Sequence, residues 1–220
     1  MTQSRIQEIA KNLEEVEARI LAAVHSAGRS RSELTLVAVS KTFPVSDAHI
    51  LYDLGVRNFG ENRDQEGSEK APQLPEDARW HFQGQIQSRK IPSILGWADV
   101  IHSLDSLEHA EKFAQRGSSS HEFFLQVNLD PASTHRGGVA PDEIESFLKL
   151  SAVEISGLMV VPPLEMEAEV GFRTVRVLAE KFGLARISMG MSGDFEKAIL
   201  EGATHIRVGS SILGSRPPLT

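Results

Sequence analysis

The chain has 220 residues, 40% of them hydrophobic and 24% charged, with a net charge of −7. This is the composition of an ordinary folded protein able to bury one large core, and the acidic balance argues against a broad nucleic-acid surface and gives no support for membrane-surface binding. The absence of cysteine removes disulfides, thiolate metal sites and a cysteine nucleophile.

Residues 3–27 place Ile6, Ile9, Leu13, Val16, Ile20, Ala23 and Val24 at helical spacing, and Gly28 is a natural stop. Residues 34–41, Leu-Thr-Leu-Val-Ala-Val-Ser-Lys, form a short apolar run without alternation, the pattern of a strand covered on both faces, and it closes on Lys41. Helix-like and strand-like segments then alternate: helix 46–55, strand 57–62, helix 63–71, strand 79–84, helix 86–96, strand 99–104, helix 106–116 and strand 122–129. They continue with helix 141–151, strand 154–161, helix 165–182, strand 186–191, helix 194–202 and strand 205–209. Eight strands in strict alternation predict an α/β fold, a single (β/α)8 TIM barrel over 1–220 with an extra N-terminal helix, 1–28, packed on it. A doubly wound open sheet is the alternative. The N-terminus carries no apolar leader core and no run approaches the ~20 residues that span a bilayer, so a cytoplasmic location and no membrane partner are expected.

In such a barrel the chemistry gathers at the C-terminal strand ends. Of the eight lysines, only Lys41 is placed at a strand end. Either it begins a solvated loop, or its burial lowers the ammonium pKa and makes the amine available for Schiff-base chemistry. The seventh and eighth strands end in Met191-Ser192-Gly193-Asp194 and Arg207-Val208-Gly209-Ser210-Ser211, where barrels frequently hold a phosphate on exposed amides and hydroxyls. Taken singly, Ser192 reads as an N-cap and Gly209-Ser210 as a turn. A phosphate subsite beside a buried lysine suggests pyridoxal 5'-phosphate, with sugar-phosphate aldolases offering the same pair of elements. Arg207 shares a face with Gly209 and either donates to the pyridine nitrogen, keeping it unprotonated, or pairs with a structural carboxylate. His81 flanks the ring or moves a proton, or is a core histidine; Asn62, beside Glu61 at the end of strand 2, is placed to donate to the ring's phenolic oxygen. No His/Asp/Glu set has metal spacing and no nucleotide-binding glycine loop is present, so no metal is predicted.

Several blocks in order resemble the pyridoxal phosphate homeostasis protein family. They are Val37-Ala38-Val39-Ser40-Lys41-Thr42, Phe59-Gly60-Glu61-Asn62 with Gln65-Glu66, and Trp80-His81-Phe82-Gln83-Gly84 with Gln87. The series continues with Gly157-Leu158-Met159, Ser188 to Asp194, and Arg207-Val208-Gly209 with Gly214-Ser215-Arg216. The resemblance implies a barrel of the alanine racemase N-terminal domain type. It also implies pyridoxal phosphate on Lys41, its phosphate on Ser192, Gly209 and Ser210, and Arg207 facing the pyridine nitrogen. Two departures, Arg89 before Lys90 and His135-Arg136-Gly137-Gly138 after strand 5, bear on loops that would handle a second pyridoxal phosphate.

Alanine racemases pair the lysine with a tyrosine from a second, β-rich domain. The only tyrosine is Tyr52, in the helix after strand 1, and no such domain is expected after residue 216. The expectation is a cytoplasmic monomer that holds pyridoxal phosphate as a lysine Schiff base and releases it in vitamin B6 homeostasis, with recipient apo-enzymes as partners and without efficient racemase activity. The competing expectation is a small pyridoxal phosphate-dependent racemase or lyase using Lys41 as base, with His81, His102 or His135 as a second base.

Overall fold

The computed structural model describes residues 2–130 and 137–215, so His135, Arg136 and Arg216 lie outside the described residues. Helix α1 (Gln3–Ser26) comes first, and β1 (Thr35–Val39), α2 (Val45–Asp53), β2 (Asn58–Glu61), α3 (Asp64–Lys70), β3 (Arg79–Phe82), α4 (Ile91–Leu95), β4 (Val100–Leu104) and α5 (Leu107–Ala114) follow it. The second half holds β5 (Glu122–Gln126), α6 (Ile144–Leu150), β6 (Ile155–Met159), α7 (Ala168–Lys181), β7 (Arg186–Met191), α8 (Phe195–Leu200), β8 (His205–Val208) and α9 (Ser210–Leu213). All strands are parallel and the sheet closes, because β1 pairs with both neighbours, Ala38 standing across from Phe59 on β2 and from Val208 on β8. Closure decides against the open sheet.

The helices bury their apolar stripes against the outside of this wall, through side chains such as Leu51, Ile94, Phe113, Val175 and Ile199. Ile9, Val16 and Ile20 do the same for α1, which lies against α8 and α9. Polar ties fix its position: Arg5 pairs with Asp47, Arg19 with Glu196, and Asn12 Nδ2 donates to the Ile212 carbonyl at 3.0 Å. Gly190 is required where α8 meets β7. Its φ is +90°, a left-handed conformation that side chains resist, and a Cβ there would stand 2.5 Å from Ala198.

Inside the barrel the filling is unusual. A small apolar cluster of Val100, Phe124 and Met159 is separate from the outer core, and three buried histidines, His81, His102 and His205, share the interior with it. The rings of His102 and Phe124 stack at 4.6 Å, and His205 meets Phe124 edge-on at 5.0 Å. Barrel interiors are ordinarily packed with branched aliphatics, so the histidines mark a polar axis.

Burial holds these rings uncharged: it pushes His81 and His102 well below the ordinary histidine range and His205 down to about 4. For His205 the folded value lies below the unfolded value of about 6.5, so its contribution to stability is present above that pH and is lost as pH falls towards 4. The stability difference between the unaltered protein and His205→Gln, measured by urea unfolding, is therefore predicted to shrink by up to about 1.4 kcal/mol per pH unit on acidification through this window. A difference that stays constant between pH 6.5 and 4 contradicts a buried neutral ring.

Candidate cofactor site

The C-terminal strand ends surround a cavity of about 250 Å³, with Lys41, Asn62, Gln83, Ser192, Arg207, Gly209 and Ser210 on its wall and Val39, Phe43, Met159 and Val161 supplying apolar surface. Six of the seven sequence-predicted positions, Lys41, Asn62, Ser192, Arg207, Gly209 and Ser210, are brought together here.

Lys41 stands differently from expectation. Strand β1 ends at Val39, and Lys41 lies two residues further, in a turn, half-buried rather than enclosed. The cause is local: Thr42 has φ 68°, a left-handed conformation costing about 1–2 kcal/mol for a residue with a Cβ. A buried cluster holds this turn. Lys70 Nζ donates to the Ser40 carbonyl at 2.9 Å, to Glu61 Oε1 at 2.7 Å and to Glu66 Oε2 at 3.4 Å, while Glu66 Oε2 accepts the Thr42 amide at 2.6 Å. Ser40 Oγ also donates to Glu61 Oε1, at 2.7 Å. The peptide groups before and after Lys41 are thus both tied to one ion cluster. The buried lysine of this protein is Lys70, at 7% exposure, and sequence reasoning missed it because it sits at the end of a short polar helix. Burial raises the Glu61 carboxyl above the usual range, with Lys70 and Ser40 opposing the rise.

The phosphate-type loops meet each other. Asp194, not Ser192, holds the N-cap position of α8, and its Oδ1 accepts the Met191 amide at 2.6 Å. Ser192 instead reaches across to the start of α9, where its Oγ accepts the amides of Gly209 at 3.2 Å and Ser211 at 3.3 Å. The two loops therefore form one patch of amides and hydroxyls on the cavity wall.

Arg207 is buried to 5% exposure, and no structural carboxylate pairs with it among the described residues. Its Nη1 donates to Ser188 Oγ at 2.7 Å and its Nη2 to the Val160 carbonyl at 3.0 Å. Burial lowers its pKa to about 10, with the more distant Asp194 opposing, so it remains a cation at neutral pH.

His81 is not on the cavity wall. It faces the barrel interior as alternation requires, but one layer too deep, with Nδ1 2.8 Å from His102 Nε2 and Nε2 3.0 Å from Asn58 Oδ1. Gln83, two residues onward on the same face, takes the rim position instead. The period of two and the strand-end rule together contained that signal. His102 is likewise enclosed in the barrel, and Tyr52 lies on α2 with its hydroxyl donating to Asp77 and its ring under the Arg57 guanidinium. Neither is on the cavity wall.

Two wall residues carry polar atoms buried without a partner in the protein, Asn62 Oδ1 and Gln83 Nε2, and Thr42 Oγ1 beside them is in the same state. Buried polar atoms are ordinarily bonded. Asn62 Oδ1 lacks a donor and Gln83 Nε2 an acceptor; an aromatic ligand carrying a ring hydroxyl and neighbouring oxygens offers both, and an anionic end would suit the Ser192/Gly209/Ser210 patch, so the residues present fit a group of the pyridoxal phosphate kind.

The alanine racemase N-terminal domain family model matches residues 6–217. The chain is also 38% identical over 221 residues to the pyridoxal phosphate homeostasis protein of Corynebacterium glutamicum, covering 92% of this chain and 99% of that protein. This chain belongs to that family. Among solved structures, PipY of Synechococcus elongatus, determined with PLP bound, is 33% identical with a TM-score of 0.79, covering 94% of this chain and 100% of PipY. A protein of unknown function from Bifidobacterium adolescentis superposes with a TM-score of 0.86 at 30% identity, covering 96% of this chain and 97% of the other. Each of these three matches covers at least 92% of this chain and at least 97% of the other.

If the Lys70 cluster holds the Lys41 turn as a closed unit, Lys70→Met leaves Glu61 buried without its cation and costs about 3–5 kcal/mol in urea unfolding. The double variant Lys70→Met/Glu61→Leu recovers most of that loss. A single variant within about 1 kcal/mol of the unaltered protein contradicts the cluster's role.

Proposed function

We propose that this chain binds pyridoxal 5'-phosphate in the rim cavity, holds it on Lys41 as a Schiff base and releases it in vitamin B6 homeostasis, without efficient racemase activity. The observation that carries this reading is the composition of the cavity wall: one primary amine, one buried guanidinium, two incompletely bonded amides, a patch of hydroxyls and amides, and no further acid or base among the described residues. The curated relatives bear the homeostasis name rather than an enzyme's, and PipY was solved with PLP bound.

Bound pyridoxal phosphate supplies an aldehyde, and an electron-withdrawing ring whose strength depends on protonation of its nitrogen. Lys41 would contribute the primary amine that the aldehyde takes up, with loss of one water. The Ser192, Gly209 and Ser210 patch takes the phosphate oxygens, and Asn62 and Gln83 bond the ring's polar edge. Arg207, a permanent donor on the cavity wall, would leave a ring nitrogen lying against it without a proton, which would weaken the ring as an electron sink. Racemisation by two bases needs a second proton carrier on the face opposite the lysine, and Tyr52, on α2 and bonded to Asp77, does not reach the wall.

Loading the 220-residue protein with pyridoxal phosphate and separating free cofactor by gel filtration is expected to give one retained equivalent and a yellow protein. Incubating this loaded protein with L-amino acids in deuterated water is expected to exchange Cα hydrogen no faster than free cofactor does. Failure to retain cofactor overturns the binding reading, and rapid stereochemical exchange supports instead a racemase or lyase with Lys41 as its base.

A further inference from the structure

Arg207 heads a line of hydrogen bonds that runs down the barrel axis, away from the cavity. Its Nη1 donates to Ser188 Oγ at 2.7 Å, Ser188 Oγ lies 2.7 Å from His102 Nδ1, His102 Nε2 lies 2.8 Å from His81 Nδ1, and His81 Nε2 lies 3.0 Å from Asn58 Oδ1. Ser188, His102 and His81 are at most 2% exposed, so a donor or acceptor left unmatched along the line has no water to turn to.

Donor counting fixes the direction. A guanidinium only donates, so Ser188 must accept from Arg207 and place its own proton elsewhere. The nearest acceptor is His102 Nδ1. His102 then carries its proton on Nε2 and gives it to His81 Nδ1, and His81 carries its proton on Nε2 and gives it to Asn58 Oδ1. Every group in the line is satisfied. In the reverse sense Ser188 receives two N–H donors and its buried hydroxyl proton has no partner, which is unfavourable. His81 Nε2 would also confront the Asn58 carbonyl oxygen; turning the Asn58 amide repairs that clash but leaves Ser188 unsatisfied.

We infer that Ser188, His102 and His81 are positioning residues for Arg207: a one-way chain of hydrogen bonds, with both imidazoles in the Nε2–H form, fixes the guanidinium at the cavity floor. The His102 ring, stacked on Phe124 with an interplanar angle of 6°, is held against rotation and so holds Ser188 Oγ with its free lone pair towards Arg207. Both acceptors of Arg207, Ser188 Oγ and the Val160 carbonyl, are neutral, so the arginine is oriented without having its charge neutralised. An arginine pinned in this way presents its remaining donors in one direction only. A ligand with an acceptor at that point, such as an unprotonated ring nitrogen, gains a preorganised partner. The cofactor part of this inference rests on the pyridoxal phosphate reading of the cavity; the direction of the chain does not.

The test uses the whole 220-residue chain. Long-range proton–nitrogen correlation spectra of the nitrogen-15 protein at pH 7, without added cofactor, are expected to place the His81 and His102 protons on Nε2, with both Nδ1 atoms resonating as acceptors. A proton on Nδ1 of His102, or a doubly protonated ring, overturns the chain. With pyridoxal phosphate, Ser188→Ala is expected to weaken cofactor affinity about tenfold, by loss of one charge-assisted bond that orients Arg207, and to shift the bound cofactor's visible absorption. Ser188→Thr, which keeps the hydroxyl, is expected to restore both. Folded Ser188→Ala protein with affinity within about twofold and an unchanged spectrum overturns the positioning role. Should the unaltered protein take up no pyridoxal phosphate, the reading of the cavity fails and the nitrogen spectra alone decide the chain.

Discussion

Lys70 reaches from the end of α3 to bond the carbonyl of Ser40, while Glu66 accepts the amide of Thr42, so the peptide groups on either side of Lys41 are tied to one buried cluster. The rest of the site depends on this tie. Without it, the left-handed Thr42 turn has no compensation for its strain, and the chain beyond Val39 is free to leave the rim as an ordinary loop. An isolated buried lysine would be costly; here its three donors meet a carbonyl and two carboxylates, which offsets the loss of water. The same carboxylate, Glu61, also takes the Ser40 hydroxyl, so the ends of β1 and β2 are fastened to each other just below the cavity.

The interior of the barrel carries the second constraint. Branched aliphatics usually fill this space, yet here it holds His81, His102, His205, Ser188 and Arg207. Their burial is tolerable because the histidines are neutral and each polar atom of the Arg207–Asn58 line meets a complementary one. The arrangement concentrates positive charge at a single point, the Arg207 guanidinium on the cavity floor. The proposed function rests on that economy: among the described residues the wall carries one amine and one permanent cation and no second group placed to move a proton.

Most of the fold was legible because the signals are local. The unalternating run from Leu34 to Val39, the 3.6-residue stripe of α1 and the regular spacing of strand and helix segments each reflect burial on a fixed face. Ends were less legible. Strand β1 stops two residues before Lys41 because Thr42 turns left-handed, which a threonine codon does not announce. Helix α9, four residues long, is too short to display a period. In the site, Lys41, Arg207 and the two serine–glycine loops could be read as strand-end residues. His81 was placed on the right face but in the wrong layer, since depth along a barrel strand is set by where the neighbouring strands begin, and that is tertiary information. The roles of Lys70 and Glu66 were invisible for the same reason: their partners, Ser40 and Thr42, lie on another element, and nothing in the polar heptapeptide of α3 marks its lysine as buried.

Borohydride reduction of the pyridoxal phosphate-loaded protein, followed by peptide mass mapping, tests the central claim most directly. A single pyridoxyl-phosphate mass increment on the peptide containing Lys41, absent from Lys41→Ala protein of unchanged melting temperature, is the predicted result. A label on Lys70, Lys90 or another lysine, or no label on a protein that nonetheless retains the cofactor, would contradict Lys41 as the anchor.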